Sequence, residues 1–253
     1  MIDLVSPTLG LALGGGGTLG GAHIGVLQVM HERGIRPGVV VGTSAGALVG
    51  AAYAMGIDPY RLEELLLDVH WQDVAAVPRR PGAGLLDAAA LRESVTELIG
   101  GDVLIEDMPM RFAAVATDVA SRRAAVIERG SLVDALRATI SVPGLFRPVQ
   151  VDGRRLLDGG LRANLPLEEA LGVGASPVIA VRVAPDWDVP GYSSSRIVRG
   201  LEARPDVLVI SPVLRGRTWW QTKDLAGVVA AGRAAAEAAL APPPRPLPTH
   251  TDG

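Results

Sequence analysis

Gly14-Gly-Gly-Gly-Thr-Leu-Gly-Gly21, followed one strand–helix–strand unit later by Gly42-Thr-Ser-Ala-Gly46, is the most informative stretch of this chain. Around it, Thr8 to Leu13 reads as a short buried strand. Ala22 to Arg33 carries Ile24, Leu27 and Met30 at helical spacing, and Gly34 stands where a helix stop belongs. Ile35 to Val41, ending in three valines, reads as a second buried strand. A strand–helix–strand connection of this kind is parallel and right-handed, so the glycine loop and Ser44 leave the sheet at the same carboxyl edge. Ligands bind at that edge in open α/β folds.

Working outward, Ala45 to Met55 reads as a helix with a smooth face of small residues, Gly46, Ala47, Gly50, Ala51 and Ala54. Tyr60 to His70 follows as an amphipathic helix. Residues 71–84, with their prolines and Arg79-Arg80, read as a loop at the site edge and a candidate lid; Asp87 reads as the N-cap of a helix over 88–99. Arg111 to Asp118 and Ala124 to Glu128 form a candidate hairpin, and Leu132 to Ile140 a helix. Asp152-Gly153 is the turn signal of a tight hairpin that ends at Asp158-Gly-Gly160. Pro177 to Val183 and Asp206 to Ile210 are the last strands, joined by a polar loop, and Leu225 to Leu240 is the closing helix. The reading is one α/β domain over residues 1–241, a three-layer α/β/α sandwich around a mainly parallel sheet, with a disordered proline-rich tail over 242–253.

Composition narrows the function classes. With 48% hydrophobic residues over 253 positions the chain can bury a large core, and a net charge of −3 offers nucleic acid no general attraction. The absence of cysteine removes thiolate nucleophiles, disulfides and cysteine-ligated metals. Lys223 is the single lysine, so lysine-based covalent chemistry has one candidate. Two uncharged runs, Leu4 to Met30 and Pro37 to Ile57, imitate membrane segments, but glycine-rich turns interrupt both, and burial on two sides of a parallel sheet explains their lack of charge. Asp3 stands where a signal peptide carries positive charge.

The serine between Gly42 and Gly46 fits a sharp strand-to-helix turn, because side chains at those two positions would collide with the neighbouring backbone. Beside it, the amides of Gly15, Gly16 and Gly17 are candidate oxyanion donors. A serine hydroxyl needs a base. None of His23, His31, His70 and His250 follows a strand end after an acidic residue, so a serine–aspartate dyad is favoured over a triad. Asp158, with room left by Gly159 and Gly160, and Asp118, also at a strand end, are the candidate carboxylates. Asn164 is assigned to ordering the Asp158 loop. Gly15-x-Gly17-x-x-Gly20 also satisfies a dinucleotide fingerprint, but the second strand ends without an acidic residue for a ribose.

These motifs, together with Val142-Pro-Gly-Leu-Phe-Arg-Pro-Val149, Asn164 and Pro166, make residues 8–240 resemble the patatin-like phospholipases, the serine lipid acyl hydrolases that include the catalytic domain of neuropathy target esterase. The resemblance implies Ser44 as nucleophile, Asp158 as general base and the glycine loop as oxyanion hole, with neither metal nor organic cofactor. It also implies a lipid substrate, carboxylic ester hydrolysis of phospholipid or lysophospholipid acyl chains, and a cytoplasmic location with transient contact at membrane surfaces. One position departs from the family: Leu19 stands where Arg or Lys is common, with Arg147 and Arg162 as candidate replacements for that cation. The competing readings are a catalytically silent lipid-binding or regulatory domain and an acyltransferase using the same two residues. Trp219-Trp220 reads as a packing pair or surface patch, with an interfacial membrane role as its functional alternative.

Overall fold

The computed structural model describes residues 2–68, 96, 100–186, 189, 191–192 and 195–241. The expected lid over 71–84, the Asp87 cap, the helix over 88–99 apart from Thr96, and the tail over 242–253 lie outside them.

The first elements follow the glycine-and-valine pattern closely. Strand β1 (Gly10–Leu13) leads through a 3-10 turn (Gly17–Gly20) into helix α1 (Gly21–Glu32), then strand β2 (Val39–Thr43) and helix α2 (Ala45–Ala54). Helix α3 (Pro59–Asp68) is followed by β3 (Arg111–Asp118), β4 (Ala124–Ile127) and α4 (Leu132–Thr139). The hairpin β5 (Val149–Val151) and β6 (Arg154–Asp158) precedes two short helices, α5 (Gly160–Ala163) and α6 (Leu167–Gly172). Strand β7 (Val178–Val181), helix α7 (Ser195–Glu202), strand β8 (Val207–Ile210) and helix α8 (Leu225–Ala239) complete the chain.

β3, β2, β1, β7 and β8 run parallel in that spatial order, and β4, β5 and β6 join antiparallel at the β3 end. Alternation along these strands divides the core in two. Leu11, Leu13, Val40, Phe112, Ile179 and Val181 face one cluster with α1, α2, α4 and α8, whereas Ala12, Val39, Val41, Val115 and Ala180 face a second with α5, α6 and α7. The result is a sheet covered on both faces, as near-continuous apolar strands require.

The register of β3 is what builds the site. Val115 pairs with Thr43 on one side and Val126 on the other; Ala116 pairs with Asp158 and Ala125. β4 therefore occupies one edge of β3, while β2 and β6 share the opposite edge end to end. The last residues of β2 and β6 meet there, which brings positions 44 and 158 together across a long span of sequence.

Helix α7 replaces part of what reads as a polar loop between the last two strands. Its apolar residues are few, and Val198 alone is fully buried, so the helix draws its stability from packing on the second core cluster rather than from its own sequence.

Candidate active site

Ser44 sits between β2 and α2 with φ 52° and ψ −123°, a conformation that a non-glycine residue holds only when its surroundings enforce it. Three contacts enforce it here. The Ser44 N–H donates to Thr139 Oγ1 at 2.8 Å, and the Thr139 hydroxyl donates in turn to the carbonyl of Val115. Gly46 passes so close to the carbonyls of Leu13 and Gly14 that any Cβ would collide with them, which locks the start of α2 against the glycine loop. Ser44 makes no side-chain cap on α2. Its hydroxyl instead donates to Asp158 Oδ2 at 2.9 Å.

Asp158 is 1% exposed. Its N–H donates to the Ser141 carbonyl at 2.9 Å, its carbonyl accepts from Thr117 Oγ1 at 2.9 Å, and its Oδ1 accepts from the Gly160 N–H at 2.7 Å. Gly159 packs where a Cβ would strike the Val115 carbonyl and Thr43 Cγ2. Burial raises the carboxyl from 3.8 to about 6, with the Gly160 amide and the Ser44 hydroxyl pulling the other way. At neutral pH the group is ionised yet more basic than an ordinary carboxylate, and it lies within proton-transfer distance of a serine hydroxyl.

The glycine loop closes the third side. The Gly14 N–H donates to Val181 O at 3.0 Å and the Gly15 N–H to Asn164 O at 2.9 Å. This corrects the expectation for Gly15: its amide is committed to the main chain of Asn164 and is not available to a substrate. Among the described residues the N–H groups of Gly16 and Gly17 have no hydrogen-bond acceptor. They stand at the start of the 3-10 turn, where free donors are the rule. Asn164 also differs from its assignment. Its Nδ2 donates to Pro185 O at 2.9 Å, so it ties the end of α5 to the glycine loop and to the segment after β7 rather than bracing the Asp158 turn.

Leu19 is buried in the first core cluster, which has no use for a cation. Arg162 lies 3.9 Å from Glu168 Oε2 and is 19% exposed, and Arg147 is exposed.

Sequence reasoning missed four groups that hold this arrangement. Thr43, Thr117 and Thr139 are fully buried, and each donates its hydroxyl to a main-chain carbonyl around the site. His23, set aside above as a triad member, is fully buried, with Nε2 2.7 Å from the Gly14 carbonyl. Burial lowers it from 6.5 to about 4, so it is neutral and donates Nε2–H to the glycine loop. For His23 the available signal was a polar residue inside an otherwise apolar run; the threonines carried none.

The sequence matches the profile of the patatin-like phospholipases over residues 11–171. The chain belongs to the patatin-like phospholipase family. An uncharacterized NTE-family protein of Mycobacterium tuberculosis strain H37Rv is 40% identical over 184 residues, which cover 70% of this chain and 49% of that protein. Human patatin-like phospholipase domain-containing protein 6 is 32% identical over 203 residues, covering 76% of this chain and 14% of that protein. The patatin-like chain thus spans about half the length of that mycobacterial relative and far less of the human one. The crystal structure of VipD from Legionella pneumophila matches its fold with a TM-score of 0.61 at 16% identity, over 92% of this chain and 66% of VipD. The type III effector ExoU matches with a TM-score of 0.51 at 14% identity, over 92% of this chain and 52% of ExoU. Among the described residues no helix of this patatin-like chain is long and apolar enough to cross a membrane.

Proposed function

We propose that this chain is a serine acyl hydrolase that cleaves carboxylic ester bonds of lipids, with phospholipid or lysophospholipid acyl chains as its substrate class. The observation that carries the reading is the 2.9 Å hydrogen bond from a strained Ser44 to a buried Asp158. Family membership supports lipid as the substrate.

Asp158 Oδ2 takes the hydroxyl proton as Ser44 Oγ attacks the ester carbonyl, and the oxyanion that forms accepts hydrogen bonds from the amides of Gly16 and Gly17. The Ser44 amide does not serve there, because it is held by Thr139. The protonated Asp158 then delivers its proton to the departing alkoxide, leaving an acyl ester on Ser44. Water enters, gives its proton to Asp158 and adds to the acyl carbonyl; collapse of that second intermediate returns the proton to Ser44 and releases the fatty acid. One carboxylate serves both halves of the cycle. Its raised basicity suits the first proton transfer, and its tie to the Gly160 amide keeps the other oxygen fixed meanwhile.

The test is intact-mass labelling with a fluorophosphonate ester, which captures an activated serine. A single adduct is expected on the folded wild-type protein, absent in Ser44→Ala and formed far more slowly in Asp158→Asn. No adduct on folded wild type would overturn the hydrolase reading and leave a catalytically silent lipid-binding or regulatory domain. With a phospholipid substrate, free fatty acid identifies water as the acyl acceptor, whereas a new ester identifies acyl transfer.

A further inference from the structure

Thr18, directly after the two amides assigned to the oxyanion, does not point its own N–H at the site. It donates to the carbonyl of Trp219 at 2.9 Å, and its hydroxyl lies 3.3 Å from the carbonyl of Thr218. The Trp219 carbonyl occupies the place where a Cβ on Gly17 would fall, and Gly17 has φ +56°, so only glycine fits beneath this segment. The connection between β8 and α8 is thereby fastened to the glycine loop. Because β8 runs parallel to β1 and β2 through β7, this connection leaves the sheet at the same carboxyl edge as Ser44.

What the connection presents to solvent is unusual for this chain. Trp219 is 47% and Trp220 61% exposed, with ring centroids 5.1 Å apart edge to face, and Val213 is 70% exposed. Two exposed indoles in contact form an apolar ridge with polar N–H tips, the chemistry that sits at a membrane–water boundary. Cations flank it. Residues 211–224 contain Arg215, Arg217 and Lys223 against a single acid, Asp224, in a chain of net charge −3. Arg217 pairs with Asp224 at 2.6 Å. Arg215 and Lys223 are exposed, and among the described residues neither has an ion-pair partner.

We infer that the Trp219-Trp220 ridge with Arg215 and Lys223 is the surface on which this protein docks to an anionic lipid bilayer, presenting the carboxyl edge of its sheet to the membrane. The inference rests on the lipid acyl hydrolase reading for its purpose and on the ridge's own chemistry for its partner. Indoles insert at headgroup depth while the two cations meet anionic headgroups. The site would then open toward the layer that holds its substrate.

The test is co-sedimentation of the full chain with phosphatidylcholine vesicles, with and without phosphatidylglycerol, alongside hydrolysis of a water-soluble short-chain ester. Wild type is expected to bind the phosphatidylglycerol vesicles better, and more weakly as salt rises. Trp220→Ala is expected to lose roughly ten-fold in vesicle affinity, and Arg215→Gln with Lys223→Gln a similar factor on anionic vesicles only. Both variants should hydrolyse the soluble ester as wild type does. Unchanged vesicle binding in both would overturn the inference, as would a wild-type dimer that Trp220→Ala dissociates while vesicles bind neither form. Loss of all Ser44-dependent ester hydrolysis in wild type, with the vesicle pattern intact, would overturn the hydrolase reading and leave the docking surface standing.

Discussion

Asp118 and Asp158 end neighbouring strands, two registers apart on the same antiparallel pair, yet they occupy opposite electrostatic worlds. Asp118 lies at an exposed turn, where its Oδ1 accepts the N–H groups of Ala120 and Ser121 at 2.8 and 2.9 Å. Those amides, the Ser121 donor first, hold its carboxyl below the ordinary range. Asp158 is sealed beneath Ser44 with one amide and one hydroxyl, and burial raises it to about 6. Both are aspartates at strand ends. The difference teaches that the proposed base is set apart by where β6 meets β2, and that residue type and strand position alone are not sufficient.

The largest expected effect tests the buried member directly. Ser44→Ala should lower kcat by roughly 10³–10⁶-fold, and Asp158→Asn by roughly 10³-fold or more, on a soluble ester. A kcat/KM profile should fall about ten-fold per pH unit below about 6 and level off above it, because only ionised Asp158 accepts the serine proton. A profile flat between pH 5 and pH 7, as rough bounds on that window, would remove Asp158 from the role of base.

The same burial gives a stability effect of opposite sense. Asp158 holds its proton more tightly in the fold than in the unfolded chain, so its contribution favours the fold at low pH and declines as pH rises from 3.8 to about 6. Above that window the ionised carboxylate costs about 3 kcal/mol. Asn at 158 can accept from Gly160 and needs no charge, so Asp158→Asn should be more stable than wild type by about 1–3 kcal/mol at pH 8, with the gain vanishing near pH 4. Urea unfolding at the two pH values reads this out. A stability effect of similar size but opposite sign is expected from Thr139→Val, which removes the acceptor of the Ser44 N–H and the donor to Val115. It should lose about 1–3 kcal/mol of stability and roughly ten-fold in kcat, while Thr139→Ser restores both.

The glycine loop and the turns around Ser44 and Asp158 were legible because each depends on local chemistry: a turn that tolerates no Cβ, a strand end, a hairpin announced by Asp152-Gly153; the preference for Asp158 over Asp118 came from the family resemblance, because their difference lies in where β6 meets β2. The hairpin forms as read, with Asp152 at φ 47° and Gly153 at φ 73°. The sheet and its helical layers followed from apolar periodicity. What escaped depends on partners distant in sequence. That Gly15 loses its free amide is a property of where Asn164 falls, and that Thr139 grips Ser44 follows from α4 packing on β3. Buried threonines have no period of their own, so no window of sequence announces them. Helices α5, α6 and α7 were missed for a related reason: they are too short for propensity to speak, and tertiary packing makes them.

The smallest expected effect is the one on which the comparison stands or falls. Asp118→Asn removes the charge of the exposed carboxylate but keeps an oxygen able to accept from Ala120 and Ser121, and asparagine is well suited to such a turn. Ester hydrolysis should remain within about two-fold of wild type, since no charge is withdrawn from Ser44. The stability change should be small and confined to pH above the ordinary carboxylate range. A carboxyl held below its usual value stabilises the fold when ionised, and that contribution disappears as pH falls through the lowered value. Its pH dependence therefore runs opposite to that of Asp158→Asn, so the two variants measured side by side report the two environments separately. If Asp118→Asn instead abolished hydrolysis while Asp158→Asn spared it, the hydrogen bond between Ser44 and Asp158 would be a structural tie, and the proton would have to leave Ser44 by another route.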